Sequence, residues 1–385
     1  MAESVGSVGP AGRSAGRRRI LILSASMGSG HDTVAAELVR RAGERGHDAH
    51  VVDVLGLLPY GLGGGLRRCY RASVRHFPWA YAALYDAFLR RGAGRRPSGV
   101  PLAGLAGDRL GKLVDRTGAD VVLPVFHLGA QLTGHLRSLG RLEVPSAVFL
   151  IDFAVHRQWL HPGNDRYFCL TDEAVREVRQ DIATPAEATG PVVAPEFFAP
   201  SPRSAQWSEC FTRRAPGCPP VLLSAGAWGA GSRLAATAGL LSAHGYLPLV
   251  LCGRNERLHR RLSRVPGVFA LGWVADMPGL MRAAGALVDN AAGQTAVQAL
   301  AAGLPVVGYR PLPGHGAEGV RRMAELGLSD FAADEEGLLG SLERLTAAGP
   351  DRERRIAQGC TLQRVDVLSR VLELLETPEA RAAGP

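Results

Sequence analysis

The chain has 385 residues, of which 46% are hydrophobic and 21% charged, with a formal net charge of +8; that is enough apolar material for two full cores and excludes a disordered or fibrous chain. No stretch holds eighteen uninterrupted apolar residues and the N-terminus lacks an apolar signal core, so the expected location is the cytoplasm. Cys69, Cys169, Cys210, Cys218, Cys252 and Cys360 lack paired short spacings, which argues against a disulfide framework and against structural zinc.

Residues 1–18 are small, polar and glycine-rich before a run of arginines, and read as a disordered tail. Ile20 to Ser24 is a nearly all-apolar run of the kind a parallel sheet buries on both faces. It opens into Ala25-Ser26-Met27-Gly28-Ser29-Gly30-His31; a helix follows from Thr33 to Gly43, and His50 to Val54 completes a β-α-β unit carrying Asp53. Strand, G-x-G and acidic residue are parts of a dinucleotide site, but Thr33 stands where the third glycine belongs, so no nicotinamide or flavin cofactor is expected.

Between Leu55 and Pro97 stand eight arginines (Arg67, Arg68, Arg71, Arg75, Arg90, Arg91, Arg95 and Arg96) against Asp86 alone. Tyr70, Phe77, Trp79, Tyr81, Tyr85, Phe88 and several leucines are interleaved with them. The plain reading is a solvated arginine face; the sharper one is an interfacial segment on an anionic membrane surface, the inner face of the plasma membrane. No RRM, KH, zinc-finger or helix-turn-helix pattern accompanies the charge, so nucleic acid is not expected.

Gly107 to Arg116 reads as a helix, Asp120 to Val125 as a strand turning through Phe126-His127-Leu128-Gly129 into another helix, and Ser146 to Ile151 as a strand delivering Asp152 to its carboxyl end, where open α/β sheets place ligand contacts. Asp152 either works in a site there or caps the following turn. Ala199-Pro-Ser-Pro202 marks a domain boundary, so the expected division is 19–200 and 201–385. Val221 to Ser224 starts a second wound sheet, followed by the glycine turn Ala225 to Gly231; Leu247 to Cys252 runs into Gly253-Arg254-Asn255. Leu287 to Asn290 ends in Ala291-Ala292-Gly293-Gln294-Thr295, where free N–H groups and the dipole of a helix from Gln294 to Ala302 suit a pyrophosphate. Val306 to Tyr309 is a further strand, and Pro350 to Glu376 reads as one closing helix. Two such repeats predict an α/β protein of two facing Rossmann-like domains with parallel sheets and an interdomain cleft.

Several segments resemble the monogalactosyldiacylglycerol synthases and processive diacylglycerol glycosyltransferases, relatives of the peptidoglycan GlcNAc transferase in glycosyltransferase family 28. ILILSASMGSGHDTVAAEL is similar to that family's ILxLxxxxGGGHxxxAxxL, with His31 on its His. Asp152, Phe153, His156, Trp159, Asp165 and Tyr167 match TDFxxHxxWxxxxxDxYxV. Gly190 to Phe197 is similar to G-x-P-V-x-x-x-F, Cys252 to Asn255 to CGxN, and Gly272 to Met277 to GWVxDM. Gly293, Thr295, Ala299, Leu300, Ala301, Gly303, Pro305, Pro311, Pro313 and Gly314 keep the pattern of the nucleotide-sugar half.

The resemblance implies a GT-B fold and an inverting glycosyltransferase that moves a hexose-type sugar from a nucleotide diphosphate, UDP first among them, to a hydroxyl of a lipid or hydrophobic acceptor such as diacylglycerol. It assigns His31 as general base, a role its ordinary pKa near 6.5 suits, with Asp152 supporting it. Donor contacts fall on Gly226, Arg254, Val274, Gly293, Gln294, Thr295, Gln298, His315 and Glu318, acceptor contacts on Gly28, Gly30, His156 and Trp159, the last two chiefly as structural residues that shape the cleft. No D-x-D spacing occurs, so no metal is expected, and helix N-termini would take the diphosphate charge. Gln298 stands where the family has a ribose-binding glutamate, and His315, Gly316 and Gly319 replace Gln, Glu and Asn. An amide offers the ribose one acceptor oxygen where a carboxylate offers two. The two glycines would leave room for a bulkier donor sugar, making UDP-galactose and UDP-glucose poor donors. A natural-product glycosyltransferase with a soluble aglycone and a non-catalytic binding relative are the alternatives.

Overall fold

The computed structural model describes residues 16–91, 99–224 and 233–376. Six strands form the first half: β1 (Arg19–Ser24), β2 (Asp48–Asp53), β3 (Val121–Pro124), β4 (Ala147–Leu150), β5 (Arg166–Cys169) and β6 (Ala186–Ala188). They pair in the orders β2-β1-β3 and β4-β5-β6, all parallel, and a bridge from Val122 to Ser146 joins the two sets. The second half is one parallel sheet of β7 (Pro220–Ser224), β8 (Leu247–Leu251), β9 (Phe269–Leu271), β10 (Ala286–Asp289), β11 (Val306–Tyr309) and β12 (Asp330–Ala332), in the order β12-β11-β10-β7-β8-β9.

The inner strands β1, β3, β4, β7, β8, β10 and β11 are apolar because both faces of each sheet are covered there, whereas the edge strands β2, β6 and β12 carry polar or exposed residues. In β1, Ile20 and Ile22 enter one core with Val34, Ala35, Leu38 and Ala42 of α1 (Ser29–Glu44), while Leu21 and Leu23 enter another with Val54, Leu110 and Leu132. The basic stretch folds into α2 (Leu62–His76) and α3 (Pro78–Phe88), packed against each other with a break at Phe77. Three of its arginines are tied to acids: Arg67 to Asp53, Arg90 to Asp86 and Glu318, and Arg91 to Glu177 and Asp181. Arg95 and Arg96 lie outside the described residues. Beside the exposed Arg68, Arg71, Asp86 and Arg90 the segment shows large apolar side chains to solvent: Leu62, Leu66, Phe77, Leu84 and Phe88 are exposed, with Tyr60 at 97% and Trp79 at 73%.

Further helices that position the cleft are α4 (His127–Ser138), α5 (Asp172–Asp181), α6 (Gln294–Ala301) and α7 (His315–Glu325). The expected single closing helix is two, α8 (Pro350–Cys360) and α9 (Val367–Leu374). The break has a packing cause. Gly359 seats α8 on Leu300, whereas the apolar face of α9 (Val367, Leu368, Val371) is taken by the first half of the chain, where Asp366 pairs with Arg41 and Arg45 and Arg364 with Asp172. One core therefore runs through both halves, joining Ile20 and Val34 to Val192, Val193, Ala296, Leu300 and Val371.

Candidate active site

The two sheets meet at their carboxyl edges. Gly28 precedes α1 in extended backbone, and a Cβ on Gly30 would stand 3.5 Å from that of Gln294, so the first turns of α1 and α6 touch across the cleft. Gln294 donates from Nε2 to the Val192 carbonyl at 2.9 Å. The turn before α6 is held by Asp289, whose buried carboxylate accepts from the Ala291 and Ala292 amides at 3.0 and 2.6 Å and fixes Ala292 at φ +52°. Burial pushes that carboxyl above its ordinary value, and the amide hydrogen bonds oppose the rise. Gly314 opens α7 at φ +76° with the Tyr85 ring 2.8 Å from where a Cβ would be, so both conformation and space require glycine. Leu312 donates to the Asn290 carbonyl at 2.8 Å, which sets the starts of α6 and α7 side by side. Three helix N-termini thus converge on one cleft.

His31 lies at the first of them. Its Nδ1 is 2.8 Å from the Val125 carbonyl; a carbonyl only accepts, so Nδ1 carries the proton and Nε2 the lone pair. Phe126 packs edge-on against the ring at 5.0 Å. Around it stand His127 and His156, with ring centroids 5.0 Å apart, and Asp152, which accepts from the Trp159 indole at 2.7 Å and lies 3.7 Å from His156 Nε2. Burial drives the His127 imidazole down to about 3 and holds His156 well below its ordinary value, so both are neutral. From the other side His315 reaches the cluster, neutral for the same reason although Asp152 partly opposes the shift. Such a site can take a proton from an incoming hydroxyl at His31 Nε2 and meet negative charge with backbone N–H groups.

Residues 31–193 match the family described as monogalactosyldiacylglycerol (MGDG) synthase. The chain is 26% identical over 355 residues to a processive diacylglycerol beta-glucosyltransferase of Bacillus thuringiensis (strain Al Hakam) and 27% to one of Bacillus mycoides (strain KBAB4), covering 85% of this chain and 85% of each relative. Among solved structures, the calicheamicin glycosyltransferase CalG4 superposes with a TM-score of 0.59 at 16% identity, covering 96% of this chain and 100% of that one. MurG of Acinetobacter baumannii gives 0.56 at 15%, covering 94% and 99%. The chain is a glycosyltransferase similar to the monogalactosyldiacylglycerol synthases. Its fold is GT-B, as the sequence motifs implied.

The glycosyltransferase places most of the expected site residues at this cleft, with changes of role. Asp152 does not orient His31; the Val125 carbonyl does, and the carboxylate is instead joined to Trp159. Trp159 is 0% exposed in a core with Val148, Leu150 and Tyr167, so it shapes the pocket and offers an acceptor no surface; His156 is buried beside it. Gly293 and Thr295 open α6, and Gln298 sits half-buried one turn on. Arg254 and Val274 lie beyond β8 and β9 on the same carboxyl edge, where the Arg254 guanidinium covers the Trp273 ring at 4.6 Å. Gly226 falls outside the described residues.

The expected space at Gly316 and Gly319 is absent. A Cβ on Gly316 would meet that of Leu312 at 3.0 Å and the Asn290 carbonyl at 3.2 Å, and one on Gly319 would meet Ala292 at 3.0 Å. These glycines let α7 lie directly on the turn that starts α6, so they release no room for a larger sugar. Glu318 is engaged too, by the Tyr85 hydroxyl and Arg90. Sequence reasoning missed His127, Tyr81, Tyr85 and Asp289. His127 and Asp289 had a signal, since each stands at or next to the carboxyl end of a strand. The tyrosines had none, because their partners are more than two hundred residues away.

Proposed function

We propose that this glycosyltransferase moves a hexosyl group, with inversion and without a metal, from a UDP-sugar to a hydroxyl of diacylglycerol or a similar lipid. The observation that carries the reading is His31: its Nδ1–H is committed to Val125, its Nε2 has no protein partner among the described residues, and it stands where α1 meets α6. In the proposed reaction the acceptor hydroxyl gives its proton to Nε2 as its oxygen attacks the anomeric carbon from the face opposite the diphosphate. The departing UDP oxygen is met by N–H groups of α6 and α7. The Bacillus relatives are diacylglycerol beta-glucosyltransferases by name, and glucose is accordingly the first sugar to test.

The lipid reading is supported by the exposed apolar face of α2 and α3, which adjoins the cleft through Tyr81 and Tyr85. Among the described residues no helix is long and apolar enough to cross a membrane, so the proposed contact is peripheral, on an anionic leaflet.

A thermal-shift panel of nucleotide sugars, followed by transfer from the stabilising donor to diacylglycerol in vesicles with NMR of the product anomer, tests the proposal. A ligand bound only by the folded state raises the melting temperature. Stabilisation by UDP-glucose and a β-linked glycolipid are the expected results. No shift with any nucleotide sugar would overturn the reading, and transfer only to soluble aglycones would move it to natural-product chemistry.

A further inference from the structure

Helix α3 belongs to the half of the chain that would hold the lipid, yet its two buried tyrosines point at the half that would hold the nucleotide. The Tyr81 hydroxyl is 2.5 Å from His315 Nδ1, with the rings edge to face at 5.9 Å and 90°. Tyr70 packs edge-on against Tyr81 at 5.5 Å with the two hydroxyls hydrogen-bonded, and Tyr85 stands 6.5 Å from the His315 ring while its hydroxyl donates to Glu318. His315 is the first residue of α7, so its backbone is fixed by the helix and by Gly314, and the tyrosine fixes its ring.

The chemistry of the pair sets its direction. Both groups are neutral, the phenol pushed up by burial and the imidazole pushed down. A bare imidazole nitrogen is a stronger acceptor than a phenol oxygen, so the single Tyr81 proton goes to Nδ1, the Tyr70 hydroxyl donates to the Tyr81 oxygen, and the ring proton of His315 sits on Nε2. That Nε2 has no protein partner among the described residues and is not one of the side-chain nitrogens sealed from solvent. His31, at the start of α1, has the opposite arrangement, with Nδ1 protonated and Nε2 bare. One imidazole of the cluster is thus set to accept a proton and another to donate a hydrogen bond.

We infer that Tyr81 is a positioning residue for the donor: by fixing the Nε2–H form of His315 it aims a neutral hydrogen-bond donor at an oxygen of the bound nucleotide sugar. The inference rests on the nucleotide-sugar reading above. The donor site is then completed by a residue of the acceptor half, and it is whole only when α3 and α7 are together. A neutral N–H suits this place, because a cation there would compete with the backbone amides for the same oxygen and would repel a protonated His31.

The test is a double-mutant cycle in full-length protein with Tyr81→Phe and His315→Ala, read as affinity for UDP and for UDP-glucose, together with the ¹⁵N shifts of the His315 ring. Tyr81→Phe keeps the buried ring and removes only the hydroxyl. It should weaken donor binding about tenfold, the worth of one hydrogen bond, leave the KM for acceptor unchanged, and have no further effect once His315 is alanine. The ¹⁵N shifts should report Nε2–H in the natural protein and a tautomer mixture in Tyr81→Phe, while Tyr85→Phe, whose hydroxyl serves Glu318, leaves that signal in place. A loss seen with UDP as well as UDP-glucose assigns the contact to the diphosphate; a loss confined to UDP-glucose assigns it to the sugar. Independent, multiplying effects of the two substitutions, or an unchanged tautomer in Tyr81→Phe, would overturn the inference. Natural protein that shows the tautomer but binds no nucleotide sugar would uphold the pairing and sink the functional reading instead.

Discussion

Replacing His31 by alanine separates catalysis from folding because the two effects differ widely in size. The folded protein loses one hydrogen bond to Val125 and one edge-on contact with Phe126. The hydrogen bond is worth about 1 kcal/mol and the ring contact about 0.5–1.5 kcal/mol, so the structural loss is about 2 kcal/mol. A domain with ordinary stability survives that with nearly all molecules folded. A general base contributes about 10²- to 10⁴-fold in rate, or about 3–5 kcal/mol of barrier. Initial rates at saturating donor should therefore fall at least a hundredfold, while calorimetric titration with UDP, for which contacts on α6 and α7 are proposed, changes little. Asp152→Asn keeps an acceptor for the Trp159 indole and removes the charge, so its loss should be smaller and of the same sign. A His31→Ala enzyme within tenfold of the natural rate, or one whose UDP affinity falls in step with its rate, would refute the base assignment.

Three further outcomes follow from the same geometry. Flotation with anionic vesicles should drop at least tenfold in Tyr60→Ser/Trp79→Ser, since two large exposed aromatics are the main apolar anchors of that face; undiminished flotation of the double variant would remove α2 and α3 as the membrane contact. His127 and His156 have folded pKa values below that of a free histidine, so as pH falls through about 6.5 the unfolded chain binds protons that the folded one refuses. Stability is full above that pH and declines towards about pH 3, and melting curves from pH 8 to 5 should show the decline, flattened in His127→Gln. Gly316→Ala gains up to about 1 kcal/mol of helix propensity but forces a Cβ to 3.0 Å from Leu312, an overpacking cost of about 1–3 kcal/mol. The net should be a lower melting temperature, and a rise would show that α7 is not tightly seated.

The strands were legible in the sequence because parallel strands buried on both faces are written as apolar runs; β1, β7, β10 and β11 lie within a residue of where their runs place them. The helix start at Gly293 was legible as a break in its run, whereas α1 begins at Ser29, four residues before the expected Thr33, and the start of α7 after Gly314 was read only as a glycine loop. Contacts across the cleft were not. Nothing near Gly316 or Gly319 announces that Asn290 to Ala292 fills their side, so a missing side chain was read as free space. The partner of His31 was misassigned because a carboxylate is the familiar orienter of a histidine, whereas here the main chain of Val125 serves. The arginines between Leu55 and Pro97 were read either as a solvated face or as a membrane-facing one, and ion pairs to Asp53, Glu177, Asp181 and Glu318 engage three of them within the fold.

The return of the chain to its first half has a mechanical consequence. Two covalent crossings link the halves, one after β6 and one between α8 and α9, and they lie against each other: a Cβ on Gly190, itself at φ +79°, would come within 2.1 Å of the Leu362 carbonyl. Two pins set side by side form the barrel of a door hinge. The second pin is clamped to the first half through Arg364 to Asp172 and through Asp366 to Arg41 and Arg45. The paired crossings close one edge of the cleft, and the contacts of Tyr81 and Tyr85 with α7 tie the halves together elsewhere.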